Sequence, residues 1–452
     1  MTTPTDPQAL LRSRAYVSLL VLAAVIGVPI SAAAWGFLAL VNKLQGWLFT
    51  SLPKALGFHG EPLWWPVPLL LVSGLLVGLT IRYLPGKGGH SPADGFKARG
   101  APTPIELPGI IFAALATLSL GAVLGPEAPL IAIGGGLGVL AIRLARRDAP
   151  PRTIAVVAAA GSFASISTLF GNPLLGAFLL MEASGLGGPT LELVLLPGLV
   201  AAGIGSLIFI GLGSWSGLGT FSLTIPNLPH VGLPNLAEFC WALVIGVLAP
   251  LLALGVRWLA LFLRPHVERR LVLATPVAGL AVAGLAIAFA AGTGKSSSEV
   301  LFSGQDALGP FITSSASYTV PALLLLIACK GLAYGVSLSG FRGGPVFPAL
   351  FLGAAGGMAL SHLPGLPLIP AVAMGIGAMS VSMLNLPLTS VLLATLLLGS
   401  DGVTDMPLAI IAVAVSFVVS ARIAVPAQPP ASPAGSGTEP SVSPPAGRGS
   451  GP

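Results

Sequence analysis

Charged residues are scarce in this sequence. Of its 452 residues only 8% are charged, whereas a soluble domain carries about 25%. Hydrophobic residues make up 54% of the chain and the mean hydropathy is +0.93. This composition excludes an ordinary soluble domain and indicates a polytopic membrane protein. Because lipid admits only helices or closed barrels, apolar spans of about 20 residues predict an all-α fold.

Other absences narrow the possible functions. The two cysteines, Cys240 and Cys329, both lie in apolar runs, so the sequence gives no sign of a disulfide framework. No metal-ligand cluster, nucleophile elbow or His/Asp pairing is evident, so we expect neither an enzyme nor a cofactor or metal site. The net charge of +6 is modest and indicates membrane orientation and lipid contact rather than nucleic-acid binding.

Glycine and proline are abundant instead, with 59 and 42 residues. Such numbers are typical of close helix contacts and broken helices in transporters. Arg12 and Arg14 precede the first span, which predicts a cytoplasmic N-terminus. We expect a multi-pass protein of the cell inner (plasma) membrane with both termini cytoplasmic. The expected segments are a cytoplasmic N-terminus (1–15), a first transmembrane half (16–212), a linker (213–235), a second transmembrane half (236–425) and a disordered cytoplasmic tail (426–452).

One stretch, Leu124-Gly-Pro-Glu-Ala-Pro-Leu130, places the acid Glu127 inside a long apolar run. A carboxylate at membrane depth is costly and marks a functional site by default. Gly125 frees the backbone, while Pro126 and Pro129 suit the start of a helix. The N–H groups at such a start can hold a carboxylate or a mobile anion that takes its place. The alternative is a fixed helix-capping acid.

Two pairs of segments resemble each other across the halves. Residues 125–129 and 343–348 are both Gly/Pro turns that open an apolar helix, and residues 172–180 resemble residues 385–393. Corresponding broken helices are the best sequence indication of a site at the membrane midplane. Two helix N-termini aimed at one point would form an anion site without a basic side chain.

These motifs resemble those of the CLC family of chloride channels and proton-coupled anion exchangers. The family motifs are Gly-Ser-Gly-Ile-Pro, Gly-Lys/Arg-Glu-Gly-Pro and Gly-x-Phe-x-Pro. Gly125-Pro-Glu-Ala-Pro129 matches the second, Gly344-Pro-Val-Phe-Pro348 matches the third with its Phe one place late, and Gly88-Gly-His-Ser-Pro92 occupies the place of the first. The likeness extends over residues 16–425 and is greatest to a divergent bacterial branch of ion-transport proteins.

The resemblance implies a CLC-like inverted repeat of tilted and broken helices, assembled as a homodimer with one pore per subunit. It also implies that Glu127 blocks the outer anion site when ionised and swings away when protonated. The anion-binding residues it implies are Gly89, Ser91, Gly125, Ala128, Gly344, Val346 and Phe347.

Several positions depart from the family pattern. The family serine at the central anion falls on Gly89, and the hydroxyl of Ser91, two places later, either substitutes for it or does not. The tyrosine of the family's last helix has no counterpart. The inner proton-relaying glutamate aligns with Ala183, beside Glu182. A one-residue step rotates a side chain by about 100° on a helix, so Glu182 is either a shifted relay or a helix-end acid.

Two further charges stand in or beside apolar segments. Lys330 needs a partner or a polar cavity, and it either lends positive potential to an anion path or is a structural lysine bonded to helix-end carbonyls. Arg342 precedes the second Gly/Pro turn, where it either draws anions to the pore mouth or faces lipid headgroups.

Transport of a small, chloride-like inorganic anion, coupled to protons through Glu127, is the function we expect. The alternative is a passive voltage- or pH-gated anion channel, favoured by Ala183 and the missing tyrosine, with fluoride as a candidate ion. A membrane-embedded enzyme is a third hypothesis, and Glu127 and Glu182 would be its only inward-facing acids.

Overall fold

Most of the described chain is helical. In this computed structural model, residues 13–96, 100–185, 189–216, 225 and 232–423 are described. The helices among them are α1 (Arg14–Gly46), α2 (Leu52–Ala55), α3 (Pro66–Tyr83), α4 (Leu107–Ser119), α5 (Glu127–Ala145), α6 (Pro151–Phe170), α7 (Pro173–Ser184), α8 (Pro189–Ser216), α9 (Leu236–Arg269), α10 (Leu271–Thr293), α11 (Leu308–Thr313), α12 (Val320–Gly340), α13 (Val346–Leu360), α14 (Leu368–Leu384), α15 (Pro387–Leu397), α16 (Gly399–Thr404) and α17 (Met406–Ile423).

The lengths of these helices fall into two groups. Among the described residues, nine helices are long and apolar enough to cross a membrane, which makes the chain a multi-pass, all-α membrane protein. Five others, α4, α7, α13, α14 and α15, are apolar but only 10–17 residues long. A span requires about 20 residues, so these helices end inside the protein. Every residue of α14 after Leu368 is buried, which places this helix at the centre of the fold.

The helix boundaries follow local chemistry. Five helices, α3, α6, α7, α8 and α15, begin at proline, which lacks an N–H and has a φ suited to the first turn. Asn235 and Glu238 form a capping box at the start of α9. Among the helices that end in a left-handed residue are α6, at Gly171 with φ 61°, and α14, at Asn385 with φ 64°. Both are followed by a short helix that begins at proline.

These equivalent ends belong to an internal repeat, in which α5, α6 and α7 correspond to α13, α14 and α15. Helix α5 packs on α6 where Gly134 meets Gly161, and α13 packs on α14 where Gly353 meets Gly375. In each pair, a Cβ atom on either glycine would overlap the carbonyl oxygen of the other. Such close approach is typical of membrane helix pairs. Helix α7 also packs against α15, so the two halves meet inside the protein.

The expected segment boundaries can be placed only in part. Helix α8 continues to Ser216, beyond the expected end of the first half at residue 212, and α9 begins at Leu236, where the second half was expected to begin. Most of the linker (213–235), the first twelve residues and the tail (426–452) lie outside the described residues.

Candidate anion site at the two Gly/Pro turns

The two Gly/Pro turns are joined directly to each other. The N–H of Gly125 donates to the carbonyl oxygen of Gly344 at 2.8 Å, and the N–H of Gly344 donates to the carbonyl oxygen of Gly125 at 2.6 Å. This antiparallel bridge brings together the first turns of α5 and α13. The sequence prediction that two helix starts meet at one point is therefore confirmed.

The side chain of Glu127 fills the space between these helix starts. It is fully buried, and its Oε1 accepts a hydrogen bond from the Phe347 N–H at 2.9 Å. The backbone N–H groups of Val346 and of Glu127 itself also face the carboxylate. Oε2 has no hydrogen-bond partner within the described part of the chain. An acid thus occupies the amide groups that would otherwise be free to bind an anion.

Three side chains that the sequence analysis did not single out hold the surrounding loops. The Tyr334 hydroxyl donates to the carbonyl oxygen of Pro345 at 2.8 Å, immediately before the first turn of α13. Oγ of Ser337 accepts from the Val123 N–H at 3.1 Å. Oγ1 of Thr117 accepts from the Arg342 N–H at 3.3 Å. Tyr334 and Ser337 follow Lys330 in α12 at intervals of four and three residues, and this spacing of polar residues in an apolar helix could have revealed them.

A first cavity, with about 750 Å³ of empty space, lies beside the turns of residues 85–94. Gly89, Ser91, Ala128 and Arg342 line it. The structure therefore brings three of the predicted anion-binding residues into one cavity. The other four, Gly125, Gly344, Val346 and Phe347, surround the buried Glu127 carboxylate.

A second cavity, with about 690 Å³ of empty space, lies next to the first Gly/Pro turn. Leu124 and Pro126 form part of its wall, together with the loop residues Gln305 and Asp306. Pro126 borders this cavity while Ala128 borders the first. The intervening residue, Glu127, has no exposed surface, and it lies in the chain between the residues that border the two cavities.

Arg342 places a permanent positive charge in the first cavity. Its Nε donates to the carbonyl oxygen of Lys87 at 3.3 Å, and its Nη1 donates to that of Phe341 at 3.2 Å. These two bonds fix the guanidinium at the wall next to the second Gly/Pro turn. This position agrees with the hypothesis that Arg342 draws anions to the pore mouth.

Glu182 contacts the other half of the chain rather than Glu127. Its carboxylate accepts hydrogen bonds from the Leu388 N–H at 2.9 Å, the Thr389 N–H at 2.8 Å and the Thr389 hydroxyl at 2.7 Å. It therefore caps the first turn of α15, where backbone N–H groups have no helical partner. These contacts agree with the helix-end interpretation, and the proton relay stays a prediction.

Lys330 is hydrogen-bonded to backbone carbonyls, as its structural interpretation predicted. Its Nζ donates to the carbonyl oxygens of four consecutive residues, 299–302. In the described part of the chain, no group of three His, Cys, Asp or Glu residues could hold a metal ion.

Comparison with known proteins agrees with this geometry. A family model described as "Voltage gated chloride channel" matches residues 74–421. Proteins named "Putative ion-transport protein YfeO" in Salmonella paratyphi A and Salmonella newport are 29% identical over 346 residues, which cover 76% of this chain and 80% of theirs.

Two solved structures share the fold. A slow cyanobacterial Cl⁻/H⁺ antiporter is similar with a TM-score of 0.72 and 19% identity, over 90% of this chain and 94% of that one. A CLC-type fluoride/proton antiporter is similar with a TM-score of 0.67 and 20% identity, over 89% of this chain and 95% of that one.

Proposed function

The chain belongs to the voltage-gated chloride channel family, and we propose that it moves a small, chloride-like inorganic anion across the membrane in exchange for protons, with Glu127 as the gate. The observation that carries this proposal is the Glu127 carboxylate on the first-turn amides of α13, where Phe347 donates at 2.9 Å. A helix start favours negative charge, so a mobile anion and this carboxylate compete for the same amides.

Protonation decides which of the two occupies the amides. The ionised carboxylate is attracted to the N–H groups of Val346 and Phe347 and closes the path between the cavities. Once protonated, it loses its charge and most of that attraction, and an anion entering from either cavity replaces it. Each anion that enters is thus linked to a proton bound at Glu127, which is the physical basis of exchange.

The anion would be bound largely by backbone groups. The amides of Ala128, Val346 and Phe347 are its proposed donors, with Gly125 and Gly344 bringing the two turns together. Gly89 and Ser91 line the first cavity, through which the anion would pass beside Arg342. The resemblance to the family also supports a homodimer in the inner membrane with both termini cytoplasmic.

A passive channel is the second candidate function, and the contacts of Glu182 favour it. Three donors hold that carboxylate at the start of α15, so it is engaged in capping. A protein without an inner relay would carry anions without coupled protons. Fluoride is a candidate ion for either function, since one structural neighbour is a fluoride/proton antiporter.

Flux measurements on purified protein in liposomes test these proposals. An outward gradient of chloride, bromide, nitrate or fluoride is imposed while internal pH is recorded. Exchange predicts that at least one anion gradient drives proton uptake, and that anion flux rises as pH falls. A passive channel predicts anion flux without proton uptake.

The variant Glu127→Gln keeps the shape and an acceptor oxygen for Phe347 but cannot ionise. We expect it to abolish both proton uptake and the dependence of flux on pH. Asp148→Asn is the control, because Asp148 is an exposed loop acid that lines neither cavity. The proposal would be contradicted if the flux were the same for every anion and were unchanged by Glu127→Gln.

A further inference from the structure

Helix α12 presents a buried polar stripe to the loops around the candidate site. Lys330, Tyr334 and Ser337 are spaced four and three residues apart, so they lie on one face. All three are fully buried. Tyr334 holds Pro345 and Ser337 holds Val123, as described above, and Lys330 holds the segment of residues 299–302.

The surroundings of Lys330 are those of a bound cation. Its Nζ lies 2.9 Å from the carbonyl oxygen of Glu299, 3.1 Å from those of Val300 and Leu301, and 3.3 Å from that of Phe302. The Phe351 ring covers it with its centroid 4.4 Å from Nζ. An ammonium is positively charged and has N–H donors but no acceptor. Surroundings made of carbonyl oxygens and an aromatic face therefore suit its charged form.

We propose that the carbonyl oxygens of residues 299–302 form a binding site for a monovalent cation, which Lys330 fills with a tethered ammonium. A free alkali-metal or small ammonium ion is the chemical class that this site would take if the side chain were absent. Glu299 is the acidic residue of this segment, and its backbone oxygen is one of the four that accept from Lys330.

The hydrogen bonds of Lys330 also hold one wall of the second cavity in place. Phe302 has φ 58°, a left-handed conformation that is unfavourable for a bulky residue and persists only where the surroundings hold it. Its carbonyl accepts from Lys330, and its N–H donates to the carbonyl oxygen of Gly121 at 3.3 Å. Residues 303–306 follow directly and line the second cavity together with Pro126.

Lys330 is therefore a positioning residue for the gate, a consequence that rests on the proposed function. Removing the ammonium would release residues 299–302 and shift the wall next to Glu127. The cation site itself does not depend on transport, so its test can fail or succeed independently of the anion flux.

Two substitutions separate charge from volume. Lys330→Ala leaves space for a small cation among the carbonyl oxygens, whereas Lys330→Met fills that space with an uncharged chain. Thermal unfolding of each purified variant is followed in sodium, potassium, ammonium or methylammonium chloride. N-methylglucamine chloride, whose cation is too large to enter, keeps the anion concentration constant.

We expect at least one small cation to raise the unfolding midpoint of Lys330→Ala saturably, by about 2 °C or more. The wild-type protein and Lys330→Met should show no such response. Anion flux through Lys330→Ala should recover at the same cation concentration. If Lys330→Ala and Lys330→Met lose stability equally and neither responds to any of these cations, the proposal is wrong.

A third variant covers the case in which Lys330→Ala does not fold. Lys330→Gln keeps much of the volume and two N–H donors but has no charge. The proposal predicts that amide hydrogen exchange in residues 299–304 becomes at least tenfold faster in this variant, with unchanged exchange around Asn385. Unchanged exchange in residues 299–304 would overturn it.

Discussion

Oε2 of Glu127 lies where a Cβ atom on Gly344 would have to be. Gly344 is also the residue that exchanges backbone hydrogen bonds with Gly125, so the same position joins the two turns and leaves room for the carboxylate. Glycine is needed here for the close approach of a side chain rather than for a special φ. The Glu127 carboxylate can occupy this position only because residue 344 has no side chain.

Replacing Gly344 with alanine should therefore displace the Glu127 side chain. The added methyl group also occupies the space in which an anion would bind, so we expect anion flux to fall at every pH and its dependence on pH to weaken. Overpacking of this kind costs about 1–3 kcal/mol of stability. Flux between pH 5 and 8 and thermal unfolding are the measurements.

Gly356→Ala is the control for this substitution. Gly356 lies in the same helix, α13, but a Cβ atom there would meet nothing within 4 Å. That variant should retain wild-type flux and stability. A Gly344→Ala protein with wild-type pH dependence would show that Glu127 does not close the site in the position seen here.

Glu182 offers a test of two roles with two variants. Glu182→Ala removes the acceptor for Leu388 and Thr389, and the loss of a helix cap should cost about 1–2 kcal/mol. Glu182→Gln keeps one acceptor oxygen and should cost less. Thermal unfolding distinguishes the two, and a capping acid predicts that neither variant changes the ratio of protons to anions.

A proton relay at Glu182 predicts a different result. Glu182→Gln would then keep anion flux but lose proton uptake in liposomes, because an amide cannot carry a proton across. Simultaneous recording of anion efflux and internal pH separates loss of coupling from loss of folded protein.

The Tyr334 hydroxyl should matter for both stability and transport. Tyr334→Phe removes its hydrogen bond to Pro345, which costs about 1 kcal/mol. Pro345, which precedes the amides of Val346 and Phe347, is then no longer held by this bond. We therefore expect weaker anion binding and lower flux at low anion concentration. Tyr83→Phe is the control, because Tyr83 is 72% exposed. Equal effects of the two substitutions would contradict a special role for Tyr334.

Much of this arrangement could be read from local sequence. Gly and Pro around Glu127 predicted a helix start, because each residue type acts within its own turn. The repeated Asn-Pro and Asn-Leu-Pro segments predicted equivalent breaks after α6 and α14. These signals are local in the chain, and the helices of both halves obey them.

Other parts depend on contacts between distant residues. The bond from Phe347 to Glu127 joins positions 220 residues apart, and the bridge between Gly125 and Gly344 that accompanies it is almost equally distant in the chain. Lys330 was recognised as needing a partner, yet its four carbonyl partners belong to another segment. Glu182 likewise caps a helix of the other half, which no local pattern could identify.

The residue types at the corresponding left-handed ends of α6 and α14 can be exchanged to test the internal repeat. Gly171 and Asn385 have φ 61° and 64°, and both residue types tolerate this conformation, whereas other residues pay about 1–2 kcal/mol. We expect Gly171→Asn and Asn385→Gly to change stability little, and Gly171→Val and Asn385→Val to lower it by about that amount. Denaturant unfolding measures all four. A costly exchange at one site alone would show that the two ends are not equivalent.

Glu61 should make the stability of the protein depend on pH. This carboxyl lies in the loop between α2 and α3, where burial raises its pKa above the ordinary value of 4.5 although the Ser297 hydroxyl donates to it at 2.6 Å. The folded state therefore binds a proton more readily than the unfolded state. The resulting stability is present below pH 4.5 and is lost as pH rises through the raised pKa.

Glu61→Gln should be more stable than wild type at pH 7–8, with a difference that shrinks towards pH 4. Thermal unfolding across this range measures the difference, and Asp148→Asn, at an exposed loop acid, is the control. A Glu61→Gln advantage that stays constant with pH would contradict the assignment.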